Sequence, residues 1–223
     1  VYTHVSRDDL EAWLEAYDLG ALSDFSGVEQ GVENTNYTVE TARGRLILTL
    51  FEKRTAAVDL PFFAAAMAHV AARGVPAPSP VADRTGRIFS RLSGRPAALF
   101  TFLQGRQRLA PSVADCRAMG VLNARLHLAA AGFAPLRDNA LSLPGWRALA
   151  DKCRARADEA APGLAALIDD ELAFLGAHWP AGAPTGLIHA DLFPDNVFFD
   201  AGEVSGVIDF YFACTDLFVY DLA

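Results

Sequence analysis

The hydrophobic pattern of this chain predicts an α+β fold in two lobes, an antiparallel sheet within residues 1–103 and a mainly helical part over 104–223. Three observations carry that prediction. Between residues 22 and 102, short apolar runs follow the order strand, strand, strand, helix, strand, strand, joined by tight hairpin turns that favour an antiparallel sheet over βαβ repeats. Beyond Leu103-Gln104-Gly105 the apolar period lengthens to that of helices. A separate hairpin then falls near the end, at residues 197–208. Ligands commonly bind where two such lobes meet.

Residues 7–18 place Leu10, Trp13, Leu14 and Tyr17 on one helical face, with Ser6 or Arg7 near its start. Residues 22–28 form a first strand, Glu29 to Asn36 a loop, and Tyr37 to Thr41 a second strand. Ala42-Arg43-Gly44-Arg45 turns the chain into a third strand, Leu46-Ile47-Leu48-Thr49-Leu50-Phe51. A helix over 59–73 starts at Asp59, read as its N-cap, and ends at Gly74 ahead of Pro76, Pro78 and Pro80. Strands over 87–92 and 97–102 flank the turn Ser93-Gly94-Arg95-Pro96. In the second part, residues 113, 119, 122 and 126 draw an apolar stripe along a helix over 111–130, and two more helices fit 145–160 and 163–179. His127 lies on that stripe and reads as a packed or capping histidine. Trp13, Trp146 and Trp179 read as core anchors.

At 223 residues, 52% hydrophobic and 21% charged, the chain can bury a sizeable core. A net charge of −8, with no basic run longer than two residues, argues against nucleic acid and anionic membrane surfaces as partners. No apolar run approaches transmembrane length, and the opening with Tyr2, His4, Arg7 and Asp8 is no signal peptide. Cys116, Cys153 and Cys214 are odd in number and scattered, the pattern of reduced thiols in a cytoplasmic protein.

His189-Ala190-Asp191-Leu192-Phe193-Pro194-Asp195-Asn196, followed thirteen residues later by Asp209, has the form H-x-D-L-x-x-x-N, then D. Phosphoryl transfer needs such a set around the phosphates of ATP: a base for the acceptor hydroxyl, and hard oxygen ligands for Mg²⁺. Asp191 fits the base, Asn196 and Asp209 fit the Mg²⁺ ligands, and His189 fits a role in orienting the loop. Val197-Phe198-Phe199 and Val204 through Ile208 read as strands about the turn Asp200-Ala201-Gly202-Glu203. If Phe199 faces Val204, Asn196 lies near Val207, and both ligands fall at the open end beside Asp191. Any one of these residues alone is better read as a turn cap. Four polar residues at fixed separations carry the functional reading.

HADLFPDN followed by IDF resembles the motif of the aminoglycoside phosphotransferase and choline kinase superfamily, relatives of the protein kinases. Softer segments resemble the homoserine kinases within it: VYTHVS at the N-terminus, GVENTNY at 31–37, LILTLFEKR at 46–54, DLPFF at 59–63, AALFTFLQG at 97–105 and GVIDFYFACTD at 206–216. The resemblance runs over essentially the whole chain. It implies a protein-kinase-like two-lobed fold, ATP and Mg²⁺ as cofactors, Asp191 as the catalytic residue, and Asn196 and Asp209 as magnesium ligands. It further implies that the stretch from Gly31 through Asn34 to Asn36 covers the phosphates and that Phe102 and Leu103 lie at the adenine hinge. The implied reaction converts ATP and L-homoserine into ADP and O-phospho-L-homoserine, a step of threonine biosynthesis. Similar proteins continue past the point matching Asp221-Leu222-Ala223 with helices that wall the acceptor site, so the resemblance also implies a C-terminal lobe that is incomplete here.

Three features depart from the pattern. The phosphate loop has Gly31 but no G-x-G-x-x-G, with Asn34 and Asn36 as partial substitutes tolerant of left-handed backbone. Thr49 stands where a phosphate-pairing lysine is sought. Of the two lysines, Lys53 and Lys152, Lys53 shares a face with Ile47, Thr49 and Phe51; it either reaches the cleft or ends the strand in solvent. The helix over 59–73 holds no Glu to pair with it. Asp209 is followed by Phe210-Tyr211 rather than Phe-Gly, which gives no reason to expect a movable activation segment. For the ammonium of homoserine, Asp195, Asp216 and Asp221 are candidate partners. Two other readings stay open: a kinase for another small hydroxyl compound (an aminoglycoside, choline or a sugar), and a non-catalytic nucleotide-binding module.

Overall fold

The computed structural model describes residues 2–29, 33–52, 55–180 and 182–223. Ser6 caps the first helix, α1 (Arg7–Leu14), by accepting the Asp9 N–H at 3.1 Å. The helix ends at Leu14, short of residue 18. The Ala16 carbonyl accepts the Arg84 N–H at 2.9 Å and the Glu15 carbonyl accepts Arg84 Nη1 at 2.6 Å, and these tertiary bonds fix the chain as it leaves the helix.

Strands β1 (Leu22–Gly27), β2 (Thr35–Thr41) and β3 (Gly44–Leu50) form an antiparallel meander. The chain then enters α2 (Leu60–Ala71) and returns as β4 (Pro80–Val81), β5 (Ser90–Leu92) and β6 (Arg95–Thr101). The sheet order is β1-β2-β3-β6-β4, with β5 also on β6. β4 arises inside the proline cluster, where the sequence suggested only a helix stop. β5 is shorter than the expected 87–92, because Asp83 Oδ1 gathers the N–H groups of Thr85 (2.8 Å) and Arg87 (3.0 Å) into a turn.

Two-residue alternation divides the sheet between two cores. Tyr37, Val39, Leu46, Leu48, Leu50 and Leu99 pack with Leu10, Leu14 and Tyr17. The second core holds Leu60, Phe63, Met67 and Val70 of α2, one helical face, together with Phe51, Ala98 and Phe100. It continues into Leu122, Leu126, Leu187, Val207 and Phe210, so it contains residues from both sides of Leu103. Asp59 does not cap α2. Its backbone is already helical (φ −86°, ψ −18°), and its carboxylate pairs with Arg137 Nε at 3.2 Å. Arg137 also donates to the Ala213 carbonyl at 3.2 Å, which ties the start of α2 to the segment beyond Asp209.

After β7 (Arg106–Gln107), the helices are α3 (Val113–Ala129), α4 (Leu143–Cys153), α5 (Ala157–Ala160) and α6 (Leu164–His178). A capping box between Ser112 and Asp115 starts α3. Leu122 and Leu126 of its stripe are buried, whereas Val113, at the first helical position, is exposed. The single helix expected over 145–160 is interrupted by a 3₁₀ turn at Arg154–Arg156. The remaining strands are β8 (Thr185–Ile188), β9 (Val197–Asp200), β10 (Glu203–Val207) and β11 (Cys214–Leu217). They pair as β10-β9-β7 and β11-β8. Among the described residues, no helix is long and apolar enough to cross a membrane.

Candidate active site

Ile188 at the end of β8 delivers the chain to His189, and from there to Asn196 the backbone leaves the sheet and is held by side chains and by a 3₁₀ turn at Pro194–Asn196. His189 is fully buried. Its Nδ1 accepts the Asp191 N–H at 3.2 Å, so the proton sits on Nε2, which donates to the Ile208 carbonyl at 2.9 Å. Burial pushes the imidazole down to about 4, against the opposing charge of Asp221, so the ring is neutral at physiological pH. It therefore orients the loop, as expected from sequence, and also reaches across to Ile208, the residue before Asp209.

Ala190 has φ 63°, a left-handed conformation unusual for a side chain with a Cβ. Asp221 holds it there. The Ala190 N–H donates to Asp221 Oδ1 at 2.7 Å and the His189 N–H to Oδ2 at 3.1 Å. His127 Nε2 reaches the same Oδ2 at 2.8 Å, with its ring stacked on Phe218 at 4.5 Å. Asp221 was a candidate for the acceptor's ammonium; its carboxylate is instead committed to the loop. Asp221→Ala is expected to strand two backbone donors, cost about 2–4 kcal/mol of stability and lower turnover, checked by thermal unfolding and steady-state rates.

Asn196 is buried and donates both Nδ2 protons to Asp191, one to its carbonyl and one to Oδ2, each at 2.8 Å. Its Oδ1 is left as the group available to a cation. The β9–β10 hairpin brings Asp209 alongside, with one correction to the expected register. Val204 pairs with Phe199, but a bulge follows, so Gly206 pairs with Phe198 and Val207 with Val197. Asn196 therefore lies opposite Ile208, whose N–H donates to the Asn196 carbonyl at 2.9 Å. The extra residue, Ser205, donates its hydroxyl to the Gln104 carbonyl at 2.7 Å.

Asp209 adopts φ 66°, ψ 54° and aims its carboxylate back into the site, where Oδ1 is buried without a hydrogen-bond partner. Burial, then repulsion from Asp191, Glu33 and Asp195, pushes this acid up to about 6. Burial likewise raises Asp191, against the stabilising Asn196 hydrogen bond, while Asp195 and Glu33 repel it. Among the described residues no three acids, histidines or cysteines form a metal-ligand cluster. The repelling pair Asp191 and Asp209, with an orphaned buried oxygen, nonetheless fits a divalent cation that would supply the missing partner and charge. Two hard oxygens, Asn196 Oδ1 and Asp209 Oδ1, suit a hard divalent cation that keeps other positions for phosphate and water.

Of the residues expected at the nucleotide, Gly31 and Lys53 lie outside the described residues. Asn34 is buried and accepts the Glu52 N–H through Oδ1 at 3.2 Å. Asn36 falls inside β2, not in the loop, opposite Thr49, whose hydroxyl donates to Asn36 Oδ1 at 2.8 Å. This end of the sheet is tied to the N-terminus as well. Thr35 Oγ1 accepts the Tyr2 and Thr3 N–H groups (2.9 and 3.0 Å) and donates to Glu52 Oε1 at 2.9 Å. Phe102 carries the Arg45 guanidinium 4.9 Å over its ring. Leu103 meets the β10 backbone at Gly206, where an added Cβ would come within 3.2 Å of it. Gly105 (φ 128°) approaches Ser205 Oγ so closely that any Cβ would collide.

Sequence reasoning missed Arg137 and the Asp221–His127 pair, because their partners are 76–94 residues away in the chain and no local pattern marks them. Asp195 is exposed, and its carbonyl accepts the Gln107 side chain. Asp216 accepts Asn139 Nδ2 at 2.8 Å on β11.

With this geometry in view, the similarities are informative. Residues 24–223 match the model of the phosphotransferase enzyme family. Over all 223 residues the chain is 53% identical to a homoserine kinase of Allorhizobium ampelinum and 53% to one of Xanthobacter autotrophicus, spanning 70% of each. It is 52% identical to a homoserine kinase of Rhodopseudomonas palustris, spanning 68% of it. Among solved structures, a spectinomycin phosphotransferase with ADP and spectinomycin matches 98% of this chain and 72% of its own, with TM-score 0.75 and 14% identity. An amicoumacin kinase with AMP-PNP and Ca²⁺ matches 98% and 67%, with TM-score 0.73 and 15% identity. At such identities these two show the fold: a kinase-like pair of lobes.

Proposed function

The chain belongs to the phosphotransferase enzyme family, and from that premise we propose that it transfers the γ-phosphoryl group of ATP to the hydroxyl of L-homoserine. The products are ADP and O-phospho-L-homoserine, the reaction from which its relatives at about half identity take their name. One observation carries the chemistry: Asn196 holds the Asp191 carboxylate at 2.8 Å, and the carboxylate of Asp209, repelled by Asp191, keeps a buried oxygen without a partner.

Asp191 receives the proton of the acceptor hydroxyl as the new O–P bond forms and the bond to the β-phosphate oxygen breaks. Asn196 fixes the Asp191 carboxylate by donating to Oδ2, and burial raises its basicity. Asn196 and Asp209 would hold Mg²⁺, which would supply positive charge to neutralise the phosphates. The nucleotide lies between residues 1–103 and 104–223, with Gly31, Asn34 and Asn36 toward its phosphates, Phe102 and Leu103 at its base, and Lys53 as the available cation. For the ammonium of homoserine, Asp195 and Asp216 remain as partners. Three unpaired cysteines support a cytoplasmic site of action in threonine biosynthesis.

The test is ADP release with MgATP against L-homoserine, serine, choline, methylthioribose and kanamycin. Turnover is expected with homoserine and to be at least about tenfold lower in kcat/KM with the rest, the loss of one or more buried polar contacts. Turnover confined to choline or kanamycin would overturn the acceptor assignment.

A further inference from the structure

Residues Tyr2 to Val5 precede α1 and form neither helix nor strand, yet side chains of the sheet hold them in place. The Tyr37 hydroxyl accepts the Val5 N–H at 3.1 Å and donates to the Thr3 carbonyl at 3.0 Å, and Val5 itself is buried. Thr35 Oγ1 accepts the N–H groups of Tyr2 and Thr3. The Thr3 hydroxyl donates to Glu52 Oε1 at 2.6 Å. Backbone groups paired in this way make the segment a fixed part of the fold, because leaving them buried and unpaired is costly.

The bonds converge on Glu52, just past β3. Its Oε1 accepts both the Thr3 hydroxyl and the Thr35 hydroxyl (2.9 Å), and its Oε2 pairs with Arg95 Nε at 3.0 Å. The side chain is only 10% exposed, so Arg95 and two hydroxyls stand in for water around its charge. The backbone N–H of the same residue donates to Asn34 Oδ1 at 3.2 Å, and Asn34 is buried. Asn34 and Thr35 are the residues by which the loop expected over the phosphates enters β2. Glu52 thus grips both that junction and the N-terminal segment. By strand alternation Thr35 and Tyr37 share the face opposite to Asn36, so the gripping groups stand behind the loop.

We infer that Glu52 is a positioning residue: through Thr3 and Thr35 it fastens the N-terminal segment behind the phosphate loop, and so sets where Asn34 stands relative to the nucleotide. This role rests on the nucleotide site proposed above. A loop that must hold phosphates binds them more weakly once its anchor is free to shift, because ordering the loop then opposes binding. The effect falls on MgATP and not on the acceptor.

The experiment is MgATP affinity by calorimetry, without acceptor, for Thr3→Val, Thr3→Ser, Glu52→Ala and, as a control, Ser90→Ala. Thr3→Val keeps the shape of the side chain and removes the hydroxyl; it is expected to weaken MgATP about three- to tenfold, the range of one lost hydrogen bond. Thr3→Ser, which keeps the donor, should bind as wild type does. Glu52→Ala removes an acid near the phosphates, and charge alone would then tighten MgATP. Lost positioning predicts the reverse, a weakening of at least about tenfold. Ser90→Ala breaks the bond from Trp13 Nε1 at 2.7 Å that joins α1 to β5, and should lower Tm without moving MgATP affinity. In steady state, KM for MgATP should rise in Thr3→Val while KM for homoserine stays within about twofold, a split that a general loss of stability does not produce. Wild-type affinity in Thr3→Val, equal weakening in Thr3→Ser, or tighter binding by Glu52→Ala would overturn the inference. Should Glu52→Ala not fold, the contrast between Thr3→Val and Thr3→Ser still decides. A wild-type protein that binds no MgATP contradicts the phosphotransferase reading itself, which keeps the two failures apart.

Discussion

Asp191→Asn is expected to lower kcat by about 10²–10⁴-fold while MgATP binds within about threefold of wild type. Asparagine keeps the shape of the side chain and an oxygen to accept the Asn196 Nδ2 proton, now at 2.8 Å from Asp191 Oδ2. What disappears is the ability to take the hydroxyl proton. The mutation also removes one of the charges that repel Asp209, so the pocket should hold its fold. Turnover by single-mixing assay and affinity by calorimetry check the two halves of this prediction. A variant that retains wild-type kcat would dismiss Asp191 as the base.

Asp209→Asn should move activity and stability in opposite directions. Turnover should fall by at least about 10²-fold, because a charged metal ligand is lost where charge must be neutralised. The metal-free protein should become more stable. The sign follows from linkage: the Asp209 carboxyl is raised from 3.8 to about 6 in the folded state, so its ionisation opposes folding. That penalty is absent below about pH 4, grows between pH 4 and 6, and is complete above pH 6. Asparagine removes it, a gain on the order of 3 kcal/mol at neutral pH and almost none at pH 4. Mg²⁺ with nucleotide should then stabilise the wild type more than the variant. Thermal unfolding at the two pH values, with and without MgATP, reads all of this. A destabilised variant at neutral pH without metal would mean that the Asp209 carboxylate is structurally satisfied, contrary to its orphaned oxygen.

Much of the site was legible because its residues lie in one short stretch. Asp191, Asn196 and Asp209 are separated by a loop and a hairpin, and hairpin pairing is a local rule that a sequence displays. Even so the register was off by one. The bulge at Ser205 has no sequence mark: it exists because that hydroxyl reaches Gln104, about a hundred residues earlier. The same limit explains Asp221. Near the end of the chain it reads as an ordinary acid, and only the fold brings it under the loop to hold Ala190 at φ 63°. Asp59 shows the converse. A helix start after an aspartate is a sound local rule, yet Arg137 offered a partner from 78 residues away and the cap was not made. β2 and β3 were readable from alternation, whereas β4 and β7, at two residues each, are too short for any period to show. The cysteines and the negative charge pointed away from nucleic acid and disulfides, but the acceptor itself is not written in composition.

The most direct measurement is phosphorus NMR of the full-length protein incubated with MgATP and L-homoserine. A phosphomonoester resonance growing in equal amount with ADP, absent without homoserine and absent with Asp191→Asn, is the predicted result. ADP appearing with free phosphate alone, or a phosphomonoester that persists in Asp191→Asn, would contradict the claim that Asp191 directs phosphoryl transfer to the homoserine hydroxyl.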